Sequence, residues 1–219
     1  MEKFITIDLI LRWAHLVFGI TWIGLLYYFN FIQGEYFKEA EAPAKADALK
    51  KLAPRALWWF RWGAMFTAIT GGVLLVGTYQ VQGIDSYIII GALMGTLMFL
   101  NVWLIIWPAQ KIVCGITPGD AKLAGPKGLL ASRTNTLFSV PMLLGMLGSS
   151  HGLGQAGNIV AHSSGTGSMS IGLWISILLI LALQANAMFG KLGPIEKVKG
   201  VIHSSIALAV VFLLLIQFV

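Results

Sequence analysis

The chain has 219 residues, 57% hydrophobic and 11% charged, with a formal net charge of +6 and a single cysteine. So apolar a composition excludes an ordinary soluble enzyme and makes the lipid bilayer the natural solvent. The basic residues gather between apolar segments, a pattern of membrane orientation that excludes a nucleic-acid partner, and one cysteine allows neither an internal disulfide nor a CxxCH site for c-type haem.

Residues 13–32, WAHLVFGITWIGLLYYFNFI, carry no formal charge. At about 1.5 Å of rise per residue they cross a hydrocarbon core of roughly 30 Å. No small-residue cleavage pattern follows, so this reads as a retained span and not a signal peptide. His15, Gly19, Trp22, Leu26 and Phe29 share one helical face. The block from Glu35 to Arg61 is the most charged; between Pro43 and Pro54 it suits a short amphipathic helix lying at the membrane surface, though a solvated connector is the reading favoured. A second span, 58–79, opens on the aromatic belt Trp58, Trp59, Phe60 and Trp62 and continues with the small-residue stripe Ala64, Ala68 and Gly72. The third, 87–107, contains Gly91 and Gly95 as a GxxxG pair. Its one strongly polar residue, Asn101, must face protein, because an unsatisfied amide in lipid costs several kcal/mol.

Pro108 is expected to end that helix, with 109–133 as a Gly/Pro-punctuated loop. The fourth span, 134–150, is short and interrupted by Pro141, which predicts a kink. Residues 151–170 read as a flexible Gly/Ser-rich loop bearing His151 and His162. The fifth span, 171–190, carries Gln184 and Asn186 as interhelical hydrogen-bonding groups, and the sixth, 200–219, has His203 near its start. The expected fold is therefore all-α: a polytopic transmembrane helix bundle of about six spans, forming a single integral membrane domain over 1–219. Three loops bearing six, four and three Lys or Arg alternate with loops bearing none. The positive-inside rule then puts the basic loops in the cytoplasm and both termini in the periplasm, across a bacterial inner membrane.

This orientation gives the histidines depths. His15 lies just beneath the outer surface, His151 follows the outer end of the fourth span at nearly the same level, and His162 belongs to the same outer loop. His203 enters from the opposite side, roughly 20 Å away. The sharper expectation is a b-type haem held by His15 and His151, with Arg12 pairing with a propionate, Gly19 leaving room for the macrocycle and Trp22 packing on its edge. His162 is the weaker alternative ligand. His151 with His162 makes a thin signal for zinc or copper, since no further ligands are nearby. Plainer readings stay open: His15 hydrogen-bonded across the bundle, His151 a wet helix-end residue, and His203 solvated rather than a proton relay with Ser204.

Four blocks carry a resemblance: RWAHLVFGITWIGLLYYFNF at 12–31, WWFRWGAMFTAITGGVLLVGTY at 58–79, NVWLIIWPAQKIVCG at 101–115 and SRTNTLFSVPMLLGMLGSSH at 132–151. In this order they resemble the N-terminal membrane domain of the bacterial cytochrome-c-linked urate oxidase (PuuD-type) family. The resemblance implies an integral membrane scaffold in which urate is oxidised and electrons pass to a fused cytochrome c. Lacking CxxCH, this chain reads as a version without the cytochrome c domain. It also departs from the family pattern at three polar positions. Trp58 and Trp59 stand where a His precedes Trp-Phe, Gly63 and Ala64 stand where a Glu is usual, and Thr134 stands where a His adjoins Asn135. The resemblance thus implies the scaffold more directly than the reaction. The leading functional expectation is a haem b electron-transfer component in contact with lipid and with other membrane subunits or a cytochrome redox partner. The alternatives are a cofactor-free structural or assembly subunit docking through its small-residue faces, and a membrane oxidase of urate or a similar small substrate.

Overall fold

The computed structural model describes residues 2–151, 159–162 and 165–219. The chain first forms a long helical rod: α1 (Glu2–Tyr27) runs through a π-helical turn, Tyr28–Gln33, into α2 (Gly34–Glu39). After extended residues at Ala40 and Glu41, a second rod comprises α3 (Ala42–Asp47), the π-helical Ala48–Leu52, and α4 (Ala53–Val81). The charged block is thus no separate surface helix but the helical extension of both rods. Its Ala, Leu and Lys residues are strong helix formers, and Pro43 and Pro54 fall in the first turns of α3 and α4, where a missing N–H costs least. Ion pairs Glu35–Lys38 and Asp47–Lys51 line its exposed side.

The third rod is α5 (Ser86–Asn101), a π-helical turn at Val102–Ile106, and α6 (Trp107–Val113). Pro108 does not end it. The proline sits just after the π-helical turn, in the first turn of α6, so its absent N–H falls where the hydrogen-bond register is already shifted. The expected loop 109–133 shrinks in the same way, because α7 (Ala121–Ser150) begins at its Asp120 N-cap and contains both Pro126 and Pro141. α8 (Ile171–Phe189) and α9 (Val198–Phe218) complete the bundle close to their expected bounds. Part of the expected loop between α7 and α8 instead forms strands. β1 (Ile84–Asp85), β2 (Ile159–His162) and β3 (Gly165–Thr166) make an antiparallel sheet in that order, fastening the α4–α5 turn to the α7–α8 connection. Gly83, with φ of 85°, makes the turn into β1. Asp85 then caps α5 through the Ile88 N–H and accepts from Ser149 on α7 at 2.7 Å.

Among the described residues, five helical segments are long and apolar enough to cross a membrane. α7 is not among them, although 30 residues is length enough, because its middle is polar: Arg133, Thr134, Asn135, Thr136 and Ser139 are all buried. It is the central helix, packed against α5, α6, α8, α9 and α1, so its polar middle meets protein rather than lipid. The closest approach is to α5. A Cβ on Gly145 would lie 2.8 Å from Gly91 Cα and 2.7 Å from the Tyr87 carbonyl, so the GxxxG face is consumed within the bundle. Pro141 leaves the Leu137 carbonyl without its helical donor, and Ser205 of α9 supplies one at 2.7 Å. α8 and α9 close at Gly172, where any Cβ would run into the Leu215 carbonyl. α1 and α4 meet at Gly63, where a Cβ would stand 3.2 Å from the Trp22 amide nitrogen. Ala64 of the small-residue stripe is buried there, whereas Gly72 faces open space.

Gly145→Ala should force the α5 and α7 backbones apart and destabilise the detergent-solubilised protein by about 1–3 kcal/mol in equilibrium unfolding. Gly72→Ala, with nothing within 4 Å of the new methyl group, should leave stability unchanged or slightly raised.

Candidate functional site

His15 reaches from α1 onto α4. Its Nδ1 lies 3.0 Å from the Thr67 carbonyl oxygen and 3.1 Å from Thr70 Oγ1. A carbonyl oxygen only accepts, and the Thr70 hydroxyl donates its proton to the Phe66 carbonyl at 2.7 Å. Nδ1 therefore carries the hydrogen, and in the neutral ring Nε2 keeps its lone pair. The ring lies over Gly71, where a Cβ would come within 2.9 Å of Cε1. His15 is thus a hydrogen-bonded interhelical histidine, as the plainer reading held.

The other candidates are arranged less favourably. Gly19, one turn further on, has nothing within 4 Å of a built Cβ and leaves the face open. Trp22 is 2% exposed, buried in the core beside α4 and not available at an open edge. Arg12 is exposed and paired with Asp8 at 2.7 Å. His151 is exposed at the end of α7, with Nδ1 3.3 Å from the Leu147 carbonyl of its own helix. α1 runs antiparallel to α7, tied to it by Tyr27–Ser139 at 2.8 Å and Asn30–Ser132 at 2.8 Å. His15 and His151 are each twelve residues, about 18 Å, beyond the first of those contacts. They are level, but His15 bonds to α4 and His151 to α7, and no described contact joins them. The His162 side chain lies outside the described residues; its backbone pairs with Gly165 in the sheet. His203 is exposed on α9. Among the described residues no group of three or more His, Cys, Asp or Glu side chains is gathered to hold a metal ion. Burial pushes the Cys114 thiol up, so it is protonated at neutral pH and a poor nucleophile.

A second polar centre joins α5, α7 and α8. Asn101 Nδ2 donates to Asn135 Oδ1 at 2.8 Å and to Gln184 Oε1 at 3.0 Å. Gln184 Nε2 returns a bond to Asn101 Oδ1 at 2.7 Å, and Asn135 Nδ2 donates to the Met98 carbonyl at 2.9 Å. All three amides are buried. The sequence marks Asn101 and Gln184 as interhelical groups and misses Asn135, whose only signal is a polar run, SRTNT, inside an unbroken helix. Asn186 differs from expectation, since it bonds the Lys191 backbone and closes the end of α8.

Residues 82–164 match the family model described as Urate oxidase N-terminal. This match, over a little more than a third of the chain, agrees with the resemblance to the membrane domain of the PuuD-type urate oxidases. No curated protein and no solved structure matches the chain. The positions at which it departs from the urate oxidase pattern have structural occupants. Gly63 is where α1 and α4 backbones approach, and a side chain there would start from a tight contact, its Cβ 3.2 Å from the Trp22 amide nitrogen. Thr134 is buried and bonds back to the Leu130 carbonyl at 3.1 Å, while Trp58 and Trp59 are exposed at the rim, as an aromatic belt requires.

Asn101→Leu leaves the Asn135 and Gln184 amides without their partner and should cost about 1–2 kcal/mol in unfolding measurements. Gln184→Leu should cost a similar amount, and the double variant less than the sum, since one network is broken twice.

Proposed function

We propose that the chain is a membrane component of the urate oxidase type that binds a b-type haem through His15 Nε2 and takes part in electron transfer, seated in a bacterial inner membrane with its basic turns on the cytoplasmic side. The observation that carries this reading is the bond from His15 Nδ1–H to the Thr67 carbonyl. Metal-ligating histidines use that arrangement: the second nitrogen donates to a carbonyl, which fixes the ring and raises the basicity of the ligating one. Haem, when bound, supplies reversible one-electron chemistry. The chain's own residues do the rest. Thr67 holds the tautomer, Gly71 admits the ring, and Gly19 leaves a flat face clear. Arg12, one turn before His15, supplies a guanidinium for a propionate, and His151, level with His15, is the candidate for the second axial position.

The family match favours a second reading, oxidation of urate or a related small substrate within the same membrane domain. Gly63 and Ala64 stand where the family pattern has a carboxylate, and Gly63 is taken up by the close α1–α4 contact, which ranks this reading below haem binding. The docking-subunit reading loses the GxxxG part of its support, because Gly91 is spent on contact with Gly145, and keeps the open face at Gly72.

Optical spectra of the purified membrane protein, oxidised and dithionite-reduced, test the proposal. Wild type should show a Soret band that His15→Ala abolishes and His203→Ala leaves intact, while His151→Ala should change the band's position or spin state. A colourless, folded wild type would contradict haem binding. Urate-dependent reduction of the haem or of an added cytochrome would support the second reading as well.

A further inference from the structure

Two cations meet over one indole ring at the basic-turn end of the bundle. Arg61, half-buried on α4 one turn into the apolar run 58–79, holds its guanidinium carbon 4.0 Å from the centre of the Trp107 ring and 5.9 Å from that of Trp103. Lys111, in the last turn of α6, brings its Nζ to 5.6 Å from the same Trp107 centre. The rings shelter both charges but offer no oxygen to their N–H groups. Among the described residues neither cation has a carboxylate within ion-pair distance, and no acidic group acts on Arg61. Arg61 Nε is buried without a hydrogen-bond partner, and so is Trp103 Nε1. Like charges drawn to one ring repel, and donors without acceptors leave their desolvation uncompensated. An anion with several oxygens answers both.

The position of the pair selects the source of that anion. Arg61 stands near the start of one apolar run and Trp107 at the end of another, 87–107, so the two cations lie at the boundary of the hydrocarbon layer. This is the end at which basic turns attract anionic headgroups. An aromatic surface leads inward from it: the Trp103 ring meets Trp62 edge-on at 5.7 Å, and Trp62 stacks on Phe66 at 5.8 Å, which is exposed on the outside of the bundle. Leu104, between the two tryptophans in sequence, is 69% exposed. A lipid can keep its phosphate between the cations while an acyl chain follows that surface, whereas a free phosphate has no use for it.

We propose that Arg61 and Lys111, gathered on Trp107, bind the phosphate of an anionic phospholipid headgroup, with an acyl chain laid along Trp62 and Phe66. The site is at the opposite end of the α1–α4 pair from His15 and does not depend on haem.

The test uses the full chain, purified in neutral detergent and stripped of lipid. Thermal unfolding is followed in mixed micelles containing phosphatidylglycerol or phosphatidylcholine, and in phosphatidylcholine micelles with added inorganic phosphate. Phosphatidylglycerol should raise the melting temperature by several degrees over phosphatidylcholine, and inorganic phosphate should give less than half that gain. Arg61→Gln should abolish the gain and Lys111→Gln should at least halve it. Lys122→Gln, which removes an exposed positive charge at the same end of the bundle, should leave it whole. Should Arg61→Gln fail to fold, Lys111→Gln, at the end of α6, carries the test. The proposal is overturned if phosphatidylglycerol does no more than phosphatidylcholine, if inorganic phosphate gives half the lipid's gain or more, or if Lys111→Gln keeps more than half of it.

Discussion

The hydrogen bonds among Asn101, Asn135 and Gln184 hold three helices at one point, and the placement of α7 depends on them. A helix with Arg, Thr, Asn and Ser through its middle is expensive in lipid, and it is tolerated here because each neighbour takes a share of the cost. α5 and α8 satisfy Asn135's layer, α9 supplies Ser205 to the carbonyl that Pro141 exposes, and α1 supplies Tyr27 and Asn30. Gly91 and Gly145 bring α5 and α7 close enough for those bonds to form. Glycine contact and amide network therefore work together, since dispersion alone gives helices in a bilayer little reason to choose one rotation over another.

The two ends of the bundle then have different characters. At the sheet-bearing end, α1 and α4 form an antiparallel pair with broad exposed apolar faces and a polar clasp, His15 on Thr67 and Thr70. That clasp fixes a ring and leaves its outer nitrogen free, which suits a ligand to iron. At the basic-turn end, aromatic side chains and arginines are interleaved, with Trp62, Trp103 and Trp107 around Arg61. Buried polar atoms there await partners.

Much of this was legible in the sequence, and the failures share a cause. Apolar runs located α5, α8 and α9 closely, and Asn101, Gln184 and the Gly91 contact followed from the rule that polar and small residues face protein. The errors came from treating proline and charge as boundaries. Pro108 and Pro126 lie inside helices, Pro108 because the π-helical turn before it shifts the hydrogen-bond register, and the charged block simply continues two rods beyond the apolar layer. Arg133 was read as a loop cation, whereas α7 begins twelve residues earlier and buries it. At the candidate haem site, the depth of His15 and its level with His151 could be read from loop charge. That Trp22 is buried and that His15 bonds to α4 could not, because hydropathy does not encode helix order.

The central claim is that His15 Nε2 is a ligand nitrogen held ready by the Thr67 carbonyl. Replacing the side chain while returning its ring tests this most directly: His15→Gly, purified without haem and then given haem with and without free imidazole. The account predicts a Soret band only when imidazole is present, restored toward the wild-type position. A band of wild-type position and intensity without imidazole, or no band under either condition while the wild type is equally colourless, would contradict it.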